Sequence, residues 1–122
     1  MTFWRGLFGL AALFNFAVAS LMLIAPGEAA ARLDIGGGGG PFAILMTGIL
    51  IGAFGVGYAM VAQAPARNRG IVWIGAIGKT GVVGLATMQY LAGVIPFGTF
   101  TLSLGDLAFV AMFALFLWRG PR

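Results

Sequence analysis

The chain has 122 residues, of which 61% are hydrophobic and only 8% are charged. A soluble domain carries roughly 25% charged residues, so this composition excludes an ordinary water-soluble globule. The sequence contains no cysteine and no histidine, which removes the usual ligands of zinc, copper and haem and any thiolate nucleophile. We therefore predict an integral membrane protein without a metal centre or a disulfide.

Four apolar segments, each long enough to cross a bilayer, follow one another along the chain. They cover residues 2–24, 41–64, 71–95 and 101–118. Because lipid offers no hydrogen-bond partners, each segment is expected to satisfy its own backbone as a helix. Pro26, Pro65 and Pro96 lie just beyond three of the ends, where a proline ends a helix at little cost. The prediction is one all-α transmembrane domain over residues 1–122, a four-helix bundle with up-down-up-down order.

Residues 25–40, between the first two spans, form the largest predicted segment outside the membrane. Its first part, PGEAAARLDI, is suited to a short interfacial turn of helix. Five consecutive glycines, Gly36 to Gly40, then predict a flexible tether before the second span. A ligand-binding role for these glycines is not favoured, because no basic residue or helix-start motif accompanies them.

Basic residues lie mainly at one side of the predicted bundle. Five arginines fall there: Arg5, Arg67, Arg69, Arg119 and Arg122. The opposite side carries Arg32 alone, and the positive-inside rule then places both termini in the cytoplasm. The tryptophans agree, because all three fall at the predicted cytoplasmic interface: Trp4, Trp73 and Trp118.

The segment GAIGKTG at residues 75–81 ends like a phosphate-binding loop. Such a loop requires a glycine five residues before Gly78, and Trp73 stands at that position. Lys79 also lies well inside a predicted apolar helix, where a strand–loop–helix turn has no place. We therefore predict no nucleotide binding, and since the arginines lie singly at span ends we predict no nucleic-acid binding either.

Small residues recur at helical spacing in two spans and predict close helix packing. In the second span the stripe comprises Gly48, Gly52, Gly55, Ala59 and Ala62. In the third span every third residue is glycine, at Gly75, Gly78, Gly81 and Gly84. Small residues let membrane helices approach closely, so that dispersion contacts between backbones hold them together. The second span is therefore expected to lie against a neighbour, in this chain or another, along its whole length.

Lys79 and Asp106 are the ionisable residues deepest in the predicted spans. At about 1.5 Å per residue they lie about 12 Å and about 18 Å from the cytoplasmic ends of their helices. The third and fourth spans share a short turn and should be neighbours, so we predict that the two side chains form an ion pair. Asn15 lies at a similar depth and Tyr58 somewhat nearer the cytoplasm, and the two complete a predicted polar cluster. Phe109, Phe113 and Phe116 continue the Asp106 face, so aromatic rings are expected to flank the carboxylate.

This pair has two interpretations that the sequence leaves open. It either fixes which helices pack together, as buried polar residues can, or it acts as a proton relay or as the polar end of a lipid or quinone site.

Several short motifs occur in a recognisable order: an arginine-led first span, Pro26-Gly27 at its end, GYAM with Gly57-Tyr58, PARNR at Pro65–Arg69, GAIGK, and Gly105-Asp106-Leu107. In these features the chain resembles, over nearly its whole length, small four-helix bacterial inner-membrane proteins of unknown function. In size and number of spans it is more loosely similar to the DoxX-like proteins, some of which partner a quinone-linked thiosulfate oxidoreductase. The first resemblance implies a bacterial inner-membrane location and marks Lys79 and Asp106 as positions of interest. It implies no reaction.

These observations favour a non-enzymatic membrane protein, an accessory or assembly subunit of a larger membrane complex. The catalytic residue types are scarce, aqueous domains are nearly absent, and the small-residue stripes are suited to docking. Two alternatives use the Lys79–Asp106 pair: an oligomeric small transporter or channel, and a lipid- or quinone-binding membrane protein. The expected partners are membrane lipids and other membrane subunits or further copies of the chain. No cofactor is expected, apart from a bound lipid or quinone under the last alternative.

Overall fold

The computed structural model describes the backbone of residues 2–33 and 40–122 and the side chains of residues 2–29 and 42–122. This part of the chain forms α1 (Thr2–Ile24), α2 (Pro26–Leu33), α3 (Gly40–Gln63), a 3-10 helix (Pro65–Asn68), α4 (Arg69–Leu91) and α5 (Phe97–Arg119). The predicted glycine tether falls largely on positions 36–39, which lie outside the described residues. Its last residue, Gly40, begins α3.

Four of these helices, α1, α3, α4 and α5, are long and apolar enough to cross a membrane. Each has 23 or 24 residues, against the roughly 20 that span a bilayer core. The described chain is therefore all-helical, and the length and composition of its helices indicate a multi-pass membrane protein. The short helix α2, of eight residues, lies in the segment predicted to contain an interfacial helical turn.

The connection between α4 and α5 differs from the predicted one. α4 ends at Leu91 rather than at residue 95, because Gly93 adopts a positive φ of 76°. The N–H of Gly93 donates to the carbonyl of Tyr90, and the N–H of Val94 donates to that of Gln89. These two bonds define a Schellman motif, which ends the helix. α5 then begins at Phe97, so the residues expected to form a turn after Pro96 make its first helical turn.

The membrane-spanning helices pack mainly as two pairs, α1 with α3 and α4 with α5, and α3 also contacts α4. In the first pair the contacts follow opposite orders along the two helices: Gly48 with Met22, Gly52 with Ala19, and Gly55 with Asn15. The second pair shows the same reversal: Arg69 with Leu117, and Lys79 with Asp106. The helices of each pair therefore run in opposite directions.

The larger hydrophobic core lies where the start of α1 meets the end of α5. Its buried members are Phe8, Ala11, Ala12, Tyr58, Val61, Val72, Phe113 and Phe116. Aromatic rings bridge the two helix pairs here, since the ring centroid of Phe8 lies 5.0 Å from those of both Phe113 and Phe116. We call this part of the molecule the basic end, because it also carries Arg5, Arg67, Arg69 and Arg119. The core thus holds together the helix ends that carry most of the positive charge.

Candidate functional site: the Lys79–Asp106 pair

Lys79 on α4 and Asp106 on α5 lie side by side near the middle of their helices. The ammonium of Lys79 donates a hydrogen bond to Oδ1 of Asp106, with an Nζ–Oδ1 distance of 2.6 Å. The side chains are 9% and 20% exposed, respectively. The structure therefore brings together the two residues that we predicted to pair from their depth in the spans. The carboxylate of Asp106 remains partly exposed.

Aromatic rings from three helices surround the ammonium of Lys79. Its Nζ lies 5.4 Å from the ring centroid of Phe14 on α1, 5.7 Å from that of Tyr58 on α3 and 5.2 Å from that of Phe109 on α5. Each distance is within the roughly 6 Å at which a cation is attracted to a ring face. With Lys79 itself on α4, all four long helices thus contribute a side chain to the site, and we call this group of three rings the aromatic cage.

The cage and Asp106 together offset the cost of burying a charge. An isolated lysine or aspartate near the centre of a membrane helix costs roughly 2.5–3.5 kcal/mol on insertion scales. Here one carboxylate oxygen accepts a hydrogen bond from the ammonium, and ring faces replace part of the hydration shell that the ammonium loses. The arrangement stabilises the contact between α4 and α5 and couples it to α1 and α3.

The predicted polar cluster divides into two parts. Tyr58, which is only 1% exposed, belongs to the aromatic cage. Asn15 is also buried, but its Nδ2 donates to the carbonyl of Ile51 at 3.0 Å and so joins α1 to α3. Among the described residues no hydrogen bond connects Asn15 to Lys79 or Asp106. Asn15 therefore stabilises the first helix pair, separately from the site.

Two hydroxyl residues close to the pair in the sequence, Ser103 and Thr80, make no hydrogen bond to Lys79 or Asp106 in the described part of the chain. Ser103 is buried, and its Oγ donates to the carbonyl of Phe100 in its own helix at 2.6 Å. Thr80 lies on the exposed side of α4. Of the phenylalanines on the Asp106 face, Phe109 faces the ammonium of Lys79, whereas Phe113 and Phe116 belong to the core.

The small-residue stripe of α3 lies mainly against α1. A Cβ at Gly48 would lie 3.0 Å from the Cβ of Met22, and a Cβ at Gly55 would lie 2.7 Å from the ring of Phe16. Gly52 faces Ala19 with slightly more room. The last two residues of the stripe, Ala59 and Ala62, pack against the hydrophobic core. The close neighbour of this stripe is therefore in the same chain.

The glycines of α4 have different surroundings. A Cβ at Gly75 would lie 2.6 Å from the hydroxyl oxygen of Tyr58, so this glycine makes room for a member of the aromatic cage. At Gly78, Gly81 and Gly84 a Cβ would meet nothing within 4 Å in the described part of the chain. Gly78, which was expected to pack against a helix, makes no such contact within this chain.

Phe14, in the aromatic cage, and Arg69, at the basic end, have structural roles that give little signal in the sequence. Phe14 is one of many phenylalanines in apolar spans, and only its depth, next to Asn15, suggests a place near Lys79. Arg69 has the position of a topology signal, yet its guanidinium donates hydrogen bonds to four carbonyls at the end of α5: those of Phe116, Leu117, Gly120 and Pro121. It thereby satisfies the carbonyl of Leu117, one of those that a helix end leaves without an intrahelical partner.

Comparisons of this chain with known protein families, with curated proteins and with solved structures give no match. The functional interpretation therefore rests on the geometry of the described residues.

Proposed function

We propose that this protein is a non-enzymatic accessory or assembly subunit of a larger membrane complex. The proposal rests on the face of α4 that carries Gly78, Gly81 and Gly84, which we call the glycine face. All three residues are exposed, and the described part of the chain leaves open space above each of them. Glycines at this spacing let a second membrane helix approach the backbone closely. We infer that the occupant is a transmembrane helix of a larger membrane protein.

Exposure of this face to lipid alone would be unfavourable. A glycine in a helix interior makes the helix less stable than an alanine would, by roughly 0.5–1 kcal/mol. Lipid tails make no special contact with glycine that would offset this cost. Close packing of another helix offsets that cost. The spans containing α4 and α5 are also the least covered, with 17% of each window buried, against 33% for α1. A partner helix on this side of the molecule would bury α4 and α5 to an extent closer to that of α1.

The Lys79–Asp106 pair supports a structural role. Its ammonium is engaged by Asp106 and by rings from three helices. A cation held in this way is suited to fixing the register of packed helices. A general base or nucleophile needs a less engaged group within reach of a substrate.

The setting we propose is a bacterial inner membrane, which the resemblance to small four-helix proteins suggests. The reversed contact order within each helix pair supports an up-down-up-down bundle. Both termini are then at the basic end, and the positive-inside rule places that end in the cytoplasm.

The test is native mass spectrometry of the tagged protein after mild extraction from its own membrane. We expect a larger membrane protein in fixed stoichiometry, and we expect Gly78→Leu with Gly81→Leu to remove it. Gly6→Leu is the matched control, because Gly6 is also an exposed helical glycine with nothing within 4 Å of a Cβ. Recovery of a homo-oligomer that retains a small molecule would overturn the proposal.

The competing function is an oligomeric transporter or channel, or a lipid- or quinone-binding protein, that uses the pair. It is favoured by the 20% exposure of the Asp106 side chain, which makes the carboxylate reachable. Exchanging the charges, with Lys79→Asp and Asp106→Lys, distinguishes the two. A structural pair tolerates the exchange and keeps its assembly partner, whereas a relay loses transport or ligand while the protein still assembles.

A further inference from the structure

A groove separate from the Lys79–Asp106 pair runs along the outer side of α4 and α5. It has a volume of about 510 Å³, within the range of roughly 300–1,000 Å³ that is typical of ligand sites. Its walls are almost entirely apolar: Trp73, Ala76, Ile77, Thr80, Val110, Ala114, Leu117 and Trp118. The small side chains of Ala76 and Ala114 make room for the groove, and two exposed tryptophans, Trp73 and Trp118, lie at one end of it.

The end of the groove that carries the tryptophans is positively charged. The guanidinium of Arg119 lies over the ring of Trp118, 4.7 Å from its centroid. Arg67 and Arg122 are exposed at the same end of the chain's helices. The acids with described side chains are Glu28, which is on α2, and Asp106, which is bonded to Lys79. A ligand at this end of the groove therefore meets positive charge.

The groove extends along α4 from the tryptophans toward the middle of the helix. Trp73 and Thr80 lie about 10 Å apart along α4. An apolar groove of this length that ends beside a basic residue has the layout of a lipid, with a hydrocarbon part and a polar head.

We propose that this groove binds one acyl chain of an anionic phospholipid whose head group lies beside Arg119. Tryptophan prefers the level of the membrane interface, so Trp73 and Trp118 place the head group where a lipid carries it. A basic side chain at that level attracts an anionic head group. The apolar walls then hold the acyl chain between α4 and α5.

The test is native mass spectrometry of delipidated protein titrated with phosphatidylglycerol or with phosphatidylcholine of the same acyl chains. We expect one phosphatidylglycerol to bind about fivefold more tightly than phosphatidylcholine, which is the effect of one interfacial basic residue. Arg119→Gln should abolish this preference, and Arg5→Gln, which changes an exposed arginine on α1 rather than on the helices that line the groove, should keep it.

A variant that fills the groove tests the contact with the acyl chain separately from the contact with the head group. Ala114→Phe should lower binding of both lipids at least fivefold, because the new ring occupies the groove. Ala111→Phe is the matched control, since Ala111 is exposed on α5 one turn earlier and does not line the groove. Unchanged binding of phosphatidylglycerol by Ala114→Phe, or a preference that survives Arg119→Gln, would overturn the proposal. So would loss of a co-purifying protein, rather than a lipid, in Ala114→Phe.

Discussion

The hydroxyl of Tyr58 on α3 fills the space that a side chain at Gly75 on α4 would need. A Cβ at Gly75 would lie 2.6 Å from the hydroxyl oxygen and 2.8 Å from a ring carbon. Tyr58 cannot easily move aside, because its ring is buried and packs edge-on against Phe113 with centroids 5.2 Å apart. Gly75 therefore sets the distance between α3 and α4 close to the Lys79 ammonium.

Gly75→Ala should destabilise the fold, whereas Gly78→Ala should not. The extra methyl group at Gly75 forces Tyr58 or α4 to shift, at a cost of about 1–3 kcal/mol. At Gly78 there is open space, and alanine is the better helix former, so we expect no loss or a gain below about 1 kcal/mol. The free energy of unfolding, measured by circular dichroism in mixed detergent and SDS micelles, checks both. Equal effects of the two variants would contradict this account of Gly75.

The sequence predicts the existence of the four long helices and the contact between Lys79 and Asp106. Both follow from strong physical constraints, because apolar runs of this length must be helical in lipid and two buried charges stabilise each other. The depth of each residue, counted along its helix, was sufficient to bring the pair together.

Helix ends and helix faces were harder to predict. The end of α4 depends on the positive φ of Gly93. The predicted span contains several other glycines, so the sequence does not show which of them ends the helix. The predicted depths of Asn15 and Tyr58 put both near the pair, but depth does not define which way a side chain points around its helix. Asn15 consequently bonds to Ile51 in the first helix pair, and Tyr58 reaches the site.

Removing one member of the Lys79–Asp106 pair should cost more stability than removing both. Lys79→Met leaves the carboxylate of Asp106 without its partner, and we expect a loss near the lower end of roughly 3–5 kcal/mol, because that side chain is partly exposed. The double variant Lys79→Met with Asp106→Leu replaces the pair by apolar groups and should return to within about 1 kcal/mol of the wild type. Unfolding free energies for the four members of this cycle give the coupling directly.

Thr80→Met is the control for that cycle. It introduces the same side chain at the adjacent, exposed position of α4 and should change stability by no more than about 0.5 kcal/mol. Additive losses in the cycle, with the double variant the least stable, would show that the two side chains do not stabilise each other.

Arg69→Lys should destabilise the basic end although the charge is kept. The guanidinium of Arg69 donates to Leu117 at 2.5 Å and to Pro121 at 2.7 Å, and it lies 5.0 Å from the ring centroid of Phe116. Lysine lacks the planar fork needed to bond several carbonyls at once, so we expect a loss of about 1–3 kcal/mol. Arg67→Lys, at an exposed position, should be neutral. Thermal unfolding in detergent compares the two, and equal melting temperatures would contradict the role of Arg69.

The proposed orientation predicts opposite labelling of cysteines at the two ends of the molecule. The chain has no cysteine of its own, so single variants report one position each. Gly27 and Gly70 are suitable sites, because both are exposed and a Cβ at either meets nothing within 4 Å in the described part of the chain. Gly27→Cys should react with a membrane-impermeant maleimide in intact spheroplasts, whereas Gly70→Cys should react only after permeabilisation. The reverse pattern would place the basic end outside, against the positive-inside rule.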